Sequence, residues 1–138
     1  MKIVFVDTNV ILDVLLQNDI FFKDSLEIFH LAETGDIQAY VSASSLTDIF
    51  YIVRKHLTIT TARSALSALL TIFHVVGIDG DDLKSAFKMP IPDIEDALQL
   101  WCAHKIHADA LITRDTQGFP HSKIVVLSPV NFLEYFQP

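Results

Sequence analysis

Cysteine is almost missing from this chain: Cys102 is the only one in 138 residues. No internal disulfide can form, and the apolar neighbours of Cys102 point to a buried thiol. Long hydrophobic runs are missing too. The longest purely apolar stretch is a few residues, too short to span a membrane. The N-terminus carries one lysine and a brief apolar run, without the length or the small-residue cleavage site of a signal peptide, so a cytoplasmic protein is expected. Basic charge is scarce. Ten Lys and Arg face 17 Asp and Glu, giving a net charge of -7 and a pI near 5.1. That argues against binding nucleic acid through bulk charge. It leaves open a site where carboxylates gather around cations that cancel their charge. Internal repeats, low-complexity stretches and linkers are absent as well, so residues 1–138 are expected to form a single domain.

What is present is apolar substance in short pieces. Hydrophobic residues make up 51% and mean hydropathy is +0.39, ample for one core. Ile3-Val4-Phe5-Val6 has no polar alternation, which suits a strand buried on both faces. Further strands are expected at Ala39–Val41, Val75–Ile78, Ala110–Thr113 and Ile124–Leu127. Between them lie helical patterns: through Val10, Ile11, Val14 and Leu15; from Phe22 to about Gly35; from Ser42 to Lys55; from Thr60 to Phe73, with Thr60 or Thr61 as cap; and from Asp81 to Phe87. Met89-Pro90-Ile91-Pro92 interrupts the pattern. Asp93 then opens a helix to about His107, and Pro129 starts the last one. Strands alternating with helices imply an α/β fold, a parallel sheet sandwiched by helices in three layers.

Ligands of open α/β sheets bind beyond the carboxyl ends of the strands. Asp7 follows the first strand, within Asp7-Thr8-Asn9. Ser42, Ser44 and Ser45 follow the second, with Asp48 in the next turns. Thr113, Arg114 and Asp115 follow the strand at Ala110. The helix opening at Asp93 adds Glu95 and Asp96, with Asp93 and Asp96 on one face. Carboxylates crowded in this way repel, and a divalent cation is the usual remedy. Oxygen-only ligation favours magnesium or manganese over zinc. Phosphodiester hydrolysis is the natural chemistry of such a site.

Each acid also has an ordinary reading. Asp7 and Asp93 suit helix caps, Asp48 suits the early turns of a helix, and Asp115 suits a turn. Jointly, their fall at one edge of the sheet favours a site. His104 and His107, near a helix end, read as surface or C-terminal residues. The other histidines are scattered and carry no assignment. Arg54 and Lys55 end a helix, where positive charge is favoured, and are also candidates to meet substrate phosphates. Arg114 adjoins the acids and is the better phosphate-contact candidate. Tyr40, Phe50, Tyr51 and Trp101 read as core or dimer interface.

Four segments resemble the motifs of PIN domains, in order and across nearly the whole chain. They are Val4-Phe5-Val6-Asp7-Thr8-Asn9-Val10, Ser42-Ala43-Ser44-Ser45-Leu46-Thr47-Asp48, Asp93-Ile94-Glu95-Asp96-Ala97-Leu98-Gln99, and Leu111-Ile112-Thr113-Arg114-Asp115 followed by Phe119. The resemblance implies a PIN-like fold and a magnesium- or manganese-dependent ribonuclease, an endonuclease. It also implies the toxin of a toxin–antitoxin pair, dimeric and silenced by an antitoxin protein. By position, Asp7, Asp48, Asp96 and Asp115 would be catalytic and hold the metal, with Asp93 as an auxiliary acid. Asn9 and Thr113 would orient ligands, water or phosphate. The second acid of the family is commonly Glu, and here it is Asp48, one methylene shorter. Two rival functions stand beside this one. A haloacid-dehalogenase-like phosphatase also opens on an aspartate after a buried strand, but wants Asp where Asn9 stands and a well-placed lysine. A catalytically inactive RNA-binding PIN module would keep the fold and lack the metal; intact acids at all four positions argue against it. The high apolar fraction of so short a chain points to a homodimer, with the helices around Phe21, Phe22 and Phe29 and around Phe50 and Tyr51 as candidate surfaces.

Overall fold

Five short apolar runs become five parallel strands in a computed structural model that describes residues 2–136; Met1, Gln137 and Pro138, within the expected domain, lie outside that description. The strands are β1 (Lys2–Val6), β2 (Ile37–Ser42), β3 (His74–Val76), β4 (Ala110–Ile112) and β5 (Val125–Leu127). The helices are α1 (Thr8–Leu15), α2 (Phe22–Thr34), α3 (Ala43–His56), α4 (Ile59–Ile72), α5 (Gly80–Phe87), α6 (Ile94–Lys105) and α7 (Pro129–Tyr135). The sheet order is β3-β2-β1-β4-β5, with every pairing parallel. This is the three-layer α/β/α arrangement expected from the alternation of elements.

The period-two geometry of a strand divides β1 between two cores. Val4 and Val6 face one layer with Val10, Ile11, Ile28, Ile49 and Phe132. Phe5 faces the other with Ala97, Leu100, Cys102, Leu111 and Phe119. All three β1 residues are fully buried, which explains the unbroken apolar run. Cys102 is buried as expected, and burial pushes its thiol up to about 11, away from reactivity.

Several boundaries differ from the sequence expectation. The cap of α4 is Thr58, whose hydroxyl accepts from the Thr61 amide, so Thr60 and Thr61 lie inside the helix. Strand β3 ends at Val76 and begins at His74; its pairing with Tyr40–Ser42 of β2 sets the register, which a run of apolar residues cannot report. Helix α5 begins a residue early because Asp79 and Asp82 form a capping box. Ser42 and Asp93 lie just outside α3 and α6 as their N-caps, and Pro129 opens α7 as expected. Phe29 is 5% exposed and belongs to the core, so it is not part of a dimer surface. Tyr51, by contrast, is 64% exposed.

Candidate active site

The chain runs β1, β2, β3 to one side of the sheet and then returns to place β4 and β5 on the other. The strand order therefore reverses between β1 and β4, the switch point at which open α/β sheets form a crevice beyond the carboxyl ends of the strands. Asp7 stands at the end of β1, and its amide donates to the carbonyl of Ile112 at the end of β4. Thr113 and Asp115 leave β4 on the other side of this crevice. The N-terminus of α6 brings Asp93, Glu95 and Asp96, and α3 brings Asp48.

Asp7 is held firmly. It is 8% exposed and caps α1, its Oδ1 accepting from the Thr8 amide at 2.8 Å. The same Oδ1 accepts from Gln99 Nε2 at 3.0 Å. Oδ2 accepts from Thr113 Oγ1 at 2.8 Å, and Asn9 Nδ2 stands at 3.5 Å, too long for a strong bond. A carboxylate oxygen has two lone pairs, so Oδ1 is saturated and Oδ2 keeps acceptor capacity. The structural and functional readings of Asp7 are thus compatible: one oxygen caps a helix while the other remains open.

Gln99 is the residue that sequence reasoning left out. It is 3% exposed, and its amide joins three elements. Nε2 donates to Asp7 Oδ1 and to Ser45 Oγ, and Oε1 accepts from Ser42 Oγ at 2.8 Å. Ser45 Oγ also accepts from Thr8 Oγ1 at 2.7 Å. A usable signal was present, because Gln99 is an amide inside Ala97-Leu98-Gln99-Leu100-Trp101, three residues beyond Asp96 on the same helix face. A polar group at a core position needs partners.

Thr113 Oγ1 donates to Asp7 and accepts from the Asp115 amide at 3.1 Å. Asn9 Nδ2 reaches Thr113 Oγ1 at 3.3 Å, and Asn9 Oδ1 accepts from the Arg114 amide at 3.2 Å. These bonds fix the turn that carries Asp115. Gly118 then makes room for it. A Cβ there would lie 2.8 Å from Asp115 Oδ2 and 3.1 Å from Asp96 Oδ2. Carboxylates from the β4 loop and from α6 therefore converge on one glycine.

The acids feel one another. Burial, and the charges of Asp93, Asp7 and Asp115, push Asp96 up to about 6. Burial raises Glu95 as well, helped by its hydrogen bond with Asp48 and by the charges of Asp48, Asp93 and Asp7. Glu95, noted in the sequence as a first-turn acid only, thus joins the cluster and links α6 to Asp48. Among the described residues, no three His, Cys, Asp or Glu side chains are already gathered as a ligand set. Mutual repulsion and the donors that hold Asp7 account for that spacing. The donor set is oxygen only, and Asp7 Oδ2 keeps acceptor capacity beyond its bond from Thr113, so the set fits a hard divalent cation.

The basic candidates lie elsewhere. Arg114 Nε stands 2.6 Å from Asp13 Oδ2, and the guanidinium lies 4.4 Å above the Phe21 ring. Asp13 is 3% exposed, and burial raises its pKa despite the cation beside it. Arg54 and Lys55 are exposed at the end of α3, about 9 Å or more along the helix axis beyond Asp48.

Residues 3–117 match the sequence profile described as PIN domain. The chain belongs to the PIN-domain family. No curated protein sequence matches this PIN domain. Its fold is similar to solved structures of low sequence identity. One is VapBC2 from Rickettsia felis bound to a DNA fragment from its promoter, with 18% identity over 92% of this chain and 98% of that one and a TM-score of 0.68. Another is a toxin–antitoxin complex from Klebsiella pneumoniae, with 21% identity, coverage of 91% and 97%, and a TM-score of 0.67. A third is VapC20 of Mycobacterium tuberculosis, a toxin that cleaves the sarcin–ricin loop, with 15% identity, coverage of 78% and 86%, and a TM-score of 0.64. No helix among the described residues is long and apolar enough to cross a membrane.

Proposed function

We propose that this PIN domain is a magnesium- or manganese-dependent endoribonuclease and the toxin of a toxin–antitoxin pair. The observation that carries the reading is the convergence of carboxylates from three separate elements at the switch point of the sheet: Asp7 from β1, Asp115 from the β4 loop and Asp96 from α6. Asp96 and Asp115 meet around Gly118, and Asp7 is pinned by Gln99 and Thr113 with Oδ2 open. The fold likeness to toxins of toxin–antitoxin complexes supports the biological role and an antitoxin partner. The phosphatase alternative loses its ground with the family match across residues 3–117.

In this reading Asp7, Asp96 and Asp115 hold the cation, with Asp93 in support and Asp48 acting with Glu95 at the margin. Bound there, the cation supplies an activated water and neutralises charge on the phosphate. The chain's own residues do the rest. Thr113 and Gln99 fix the Asp7 carboxylate, and Asn9 fixes the Thr113–Asp115 turn, so the ligands are oriented before substrate arrives. The protein is proposed to work in the cytoplasm as a homodimer.

The test is cleavage of total cellular RNA by the purified protein with magnesium or manganese supplied. Internal cuts that vanish with EDTA are expected. Intact RNA with either metal, from a folded protein, would overturn the assignment.

A further inference from the structure

Beyond the acid cluster, α6 and the loops around it form a second concave feature. An open cleft of about 490 Å³ lies between Met89–Ile91, the middle of α6 and Pro120–Lys123. That volume falls within the range of small-ligand sites, about 300–1,000 Å³. Its apolar contribution comes from Met89, Ile91, Leu100 and Trp101. Trp101 is pinned there, its indole N–H donating to Asp82 at 2.9 Å. The polar contribution is of one kind: His104, His121 and Lys123. Not one lining residue is acidic, in a chain with 17 acids against ten Lys and Arg. Burial and the nearby Lys123 charge lower the His104 pKa, favouring the neutral imidazole, which can donate one hydrogen bond and accept another.

The rim of the cleft lies within two residues of the acid edge along the chain, about 7 Å at most. Pro120 follows two residues after Gly118, on which Asp96 and Asp115 converge, and Ile91 precedes Asp93 by two. Along α6, Trp101 lies about 7.5 Å beyond Asp96. We infer that this cleft is a nucleotide subsite, taking the base of a nucleotide that flanks the scissile phosphate against Trp101 and its apolar neighbours, with the adjoining phosphate at Lys123. The inference rests on the ribonuclease reading and names where the substrate strand runs. It also explains how an acidic protein grips RNA: stacking and a local cation replace bulk positive charge. An aromatic, apolar wall with a cationic group is an arrangement that suits single-stranded RNA, whereas Arg54 and Lys55 do not line this cleft and Arg114 is paired with Asp13.

Trp101 is the only tryptophan, so its fluorescence reports on this cleft alone. Titration with a short single-stranded RNA oligonucleotide of mixed sequence, in EDTA so that nothing is cut, is expected to quench it saturably. Lys123→Glu should weaken that binding roughly tenfold and raise KM for metal-supported cleavage. Lys23→Glu, the same charge change at an exposed position of α2, should do neither. Both lysines are exposed, so the fold is not at stake. Cleavage that proceeds with no Trp101 quench and with an unchanged KM in Lys123→Glu would overturn the subsite and leave the ribonuclease reading standing. Absence of both binding and cleavage would remove both. Quenching by an acidic peptide with the affinity of RNA would make the cleft a protein-docking site and overturn the inference.

Discussion

Helix α6 carries two groups of charges, and they are treated in opposite ways. Toward its C-terminal half, Trp101 and Lys105 serve Asp82 of α5. The indole donates to Oδ1 at 2.9 Å, and Lys105 and the Asp79 amide donate to Oδ2 at 2.9 Å each. These donors hold the Asp82 carboxyl far below the usual carboxylate range, and Asp82 in turn raises Lys105. At the N-terminus of the same helix, Glu95 and Asp96 meet Asp48, Asp93, Asp7 and Asp115, and both are raised. An acid placed for structure is surrounded by donors and lowered. An acid placed among acids costs the metal-free fold stability, a cost that the proposed cation would relieve. Asp7 stands between the two cases, because Gln99 and Thr113 give it donors while the neighbouring acids stay exposed to one another.

Exchanging single atoms on each side breaks this comparison most sharply. Asp7→Asn is expected to reduce RNA cleavage on the order of a hundredfold or more, because an amide supplies neither the charge nor a second carboxylate oxygen. Its melt should remain cooperative. Asp82→Asn should do the reverse, lowering the melting temperature by removing the acceptor for Lys105 while cleavage per folded molecule persists. Parallel melting curves and initial rates check both. Equal losses of activity in the two variants would mean that the acids of α5 and of the sheet edge do not have separate roles.

The next effect is on stability and comes from the cation. Magnesium or manganese at neutral pH should raise the melting temperature; a hundredfold excess over Kd corresponds to about 2.7 kcal/mol. The shift should shrink as pH falls below about 6, where Asp96 takes up its proton. The Asp82 region supplies the contrast, since Lys105, Trp101 and the Asp79 amide already occupy its carboxylate and leave a metal no place there. A metal-induced shift of the same size in Asp7→Asn would place the ion elsewhere.

The sequence displayed the sheet because every strand is an apolar run between turn residues, and it displayed the acids because they follow those runs. Boundaries escaped it where side chains decide them, as with the Thr58 cap and the Asp79–Asp82 box. Gln99 escaped because its partners, Asp7, Ser42 and Ser45, are 54 or more residues away. Glu95 was visible as a charge, but its link to Asp48 depends on how α3 packs beside α6. Arg114 shows the limit most plainly. Next to Asp115 in sequence, it reads as a phosphate contact, yet its guanidinium pairs with buried Asp13 and covers Phe21. Only the buried placement of Asp13 reveals this, and nothing in the spacing of residues 13 and 114 announces it.

A smaller effect isolates the repulsion itself. The Asp96 pKa is about 6 in the folded protein against 3.8 ordinarily. The folded state then binds the proton more tightly than the unfolded state, so stability falls as pH rises between those two values and levels off above. Asp96→Asn removes that loss. In EDTA, its melting temperature should match the wild type near pH 4 and exceed it increasingly up to about pH 6. For Asp82 the sign is opposite: its folded pKa is depressed, so its contribution is present at neutral pH and fades as pH falls below the ordinary carboxylate value. Curves for Asp96→Asn and wild type that run parallel across this range would show that the acids at the edge do not repel.

The smallest effect is expected at Asp48, which is one methylene shorter than the glutamate usual in the family. Asp48 is half-buried on α3, and its hydrogen bond with Glu95 is the contact that ties it to α6. A hydrogen bond between two carboxyl groups requires a proton on one of them, which the raised Glu95 pKa allows. We expect the pair to work as a unit, with Asp48 setting the position of Glu95 and the longer Glu95 supplying the reach that an aspartate on α3 lacks. If so, Asp48→Ala should slow cleavage by less than Asp7→Asn does and weaken metal binding less, because the three main carboxylates remain. Glu95→Gln should show a similar modest loss, since the amide still donates to Asp48 but carries no charge. Asp48→Glu should retain activity and free Glu95 from its tie. The double variant Asp48→Ala/Glu95→Gln decides the matter, because groups that act as a unit give losses that do not add. Single-turnover cleavage beside calorimetric metal affinity separates chemistry from binding. Losses that add fully would mean that Asp48 and Glu95 act independently. No loss in any of the three across a metal titration would reduce the site to Asp7, Asp96 and Asp115, with Asp93 in support.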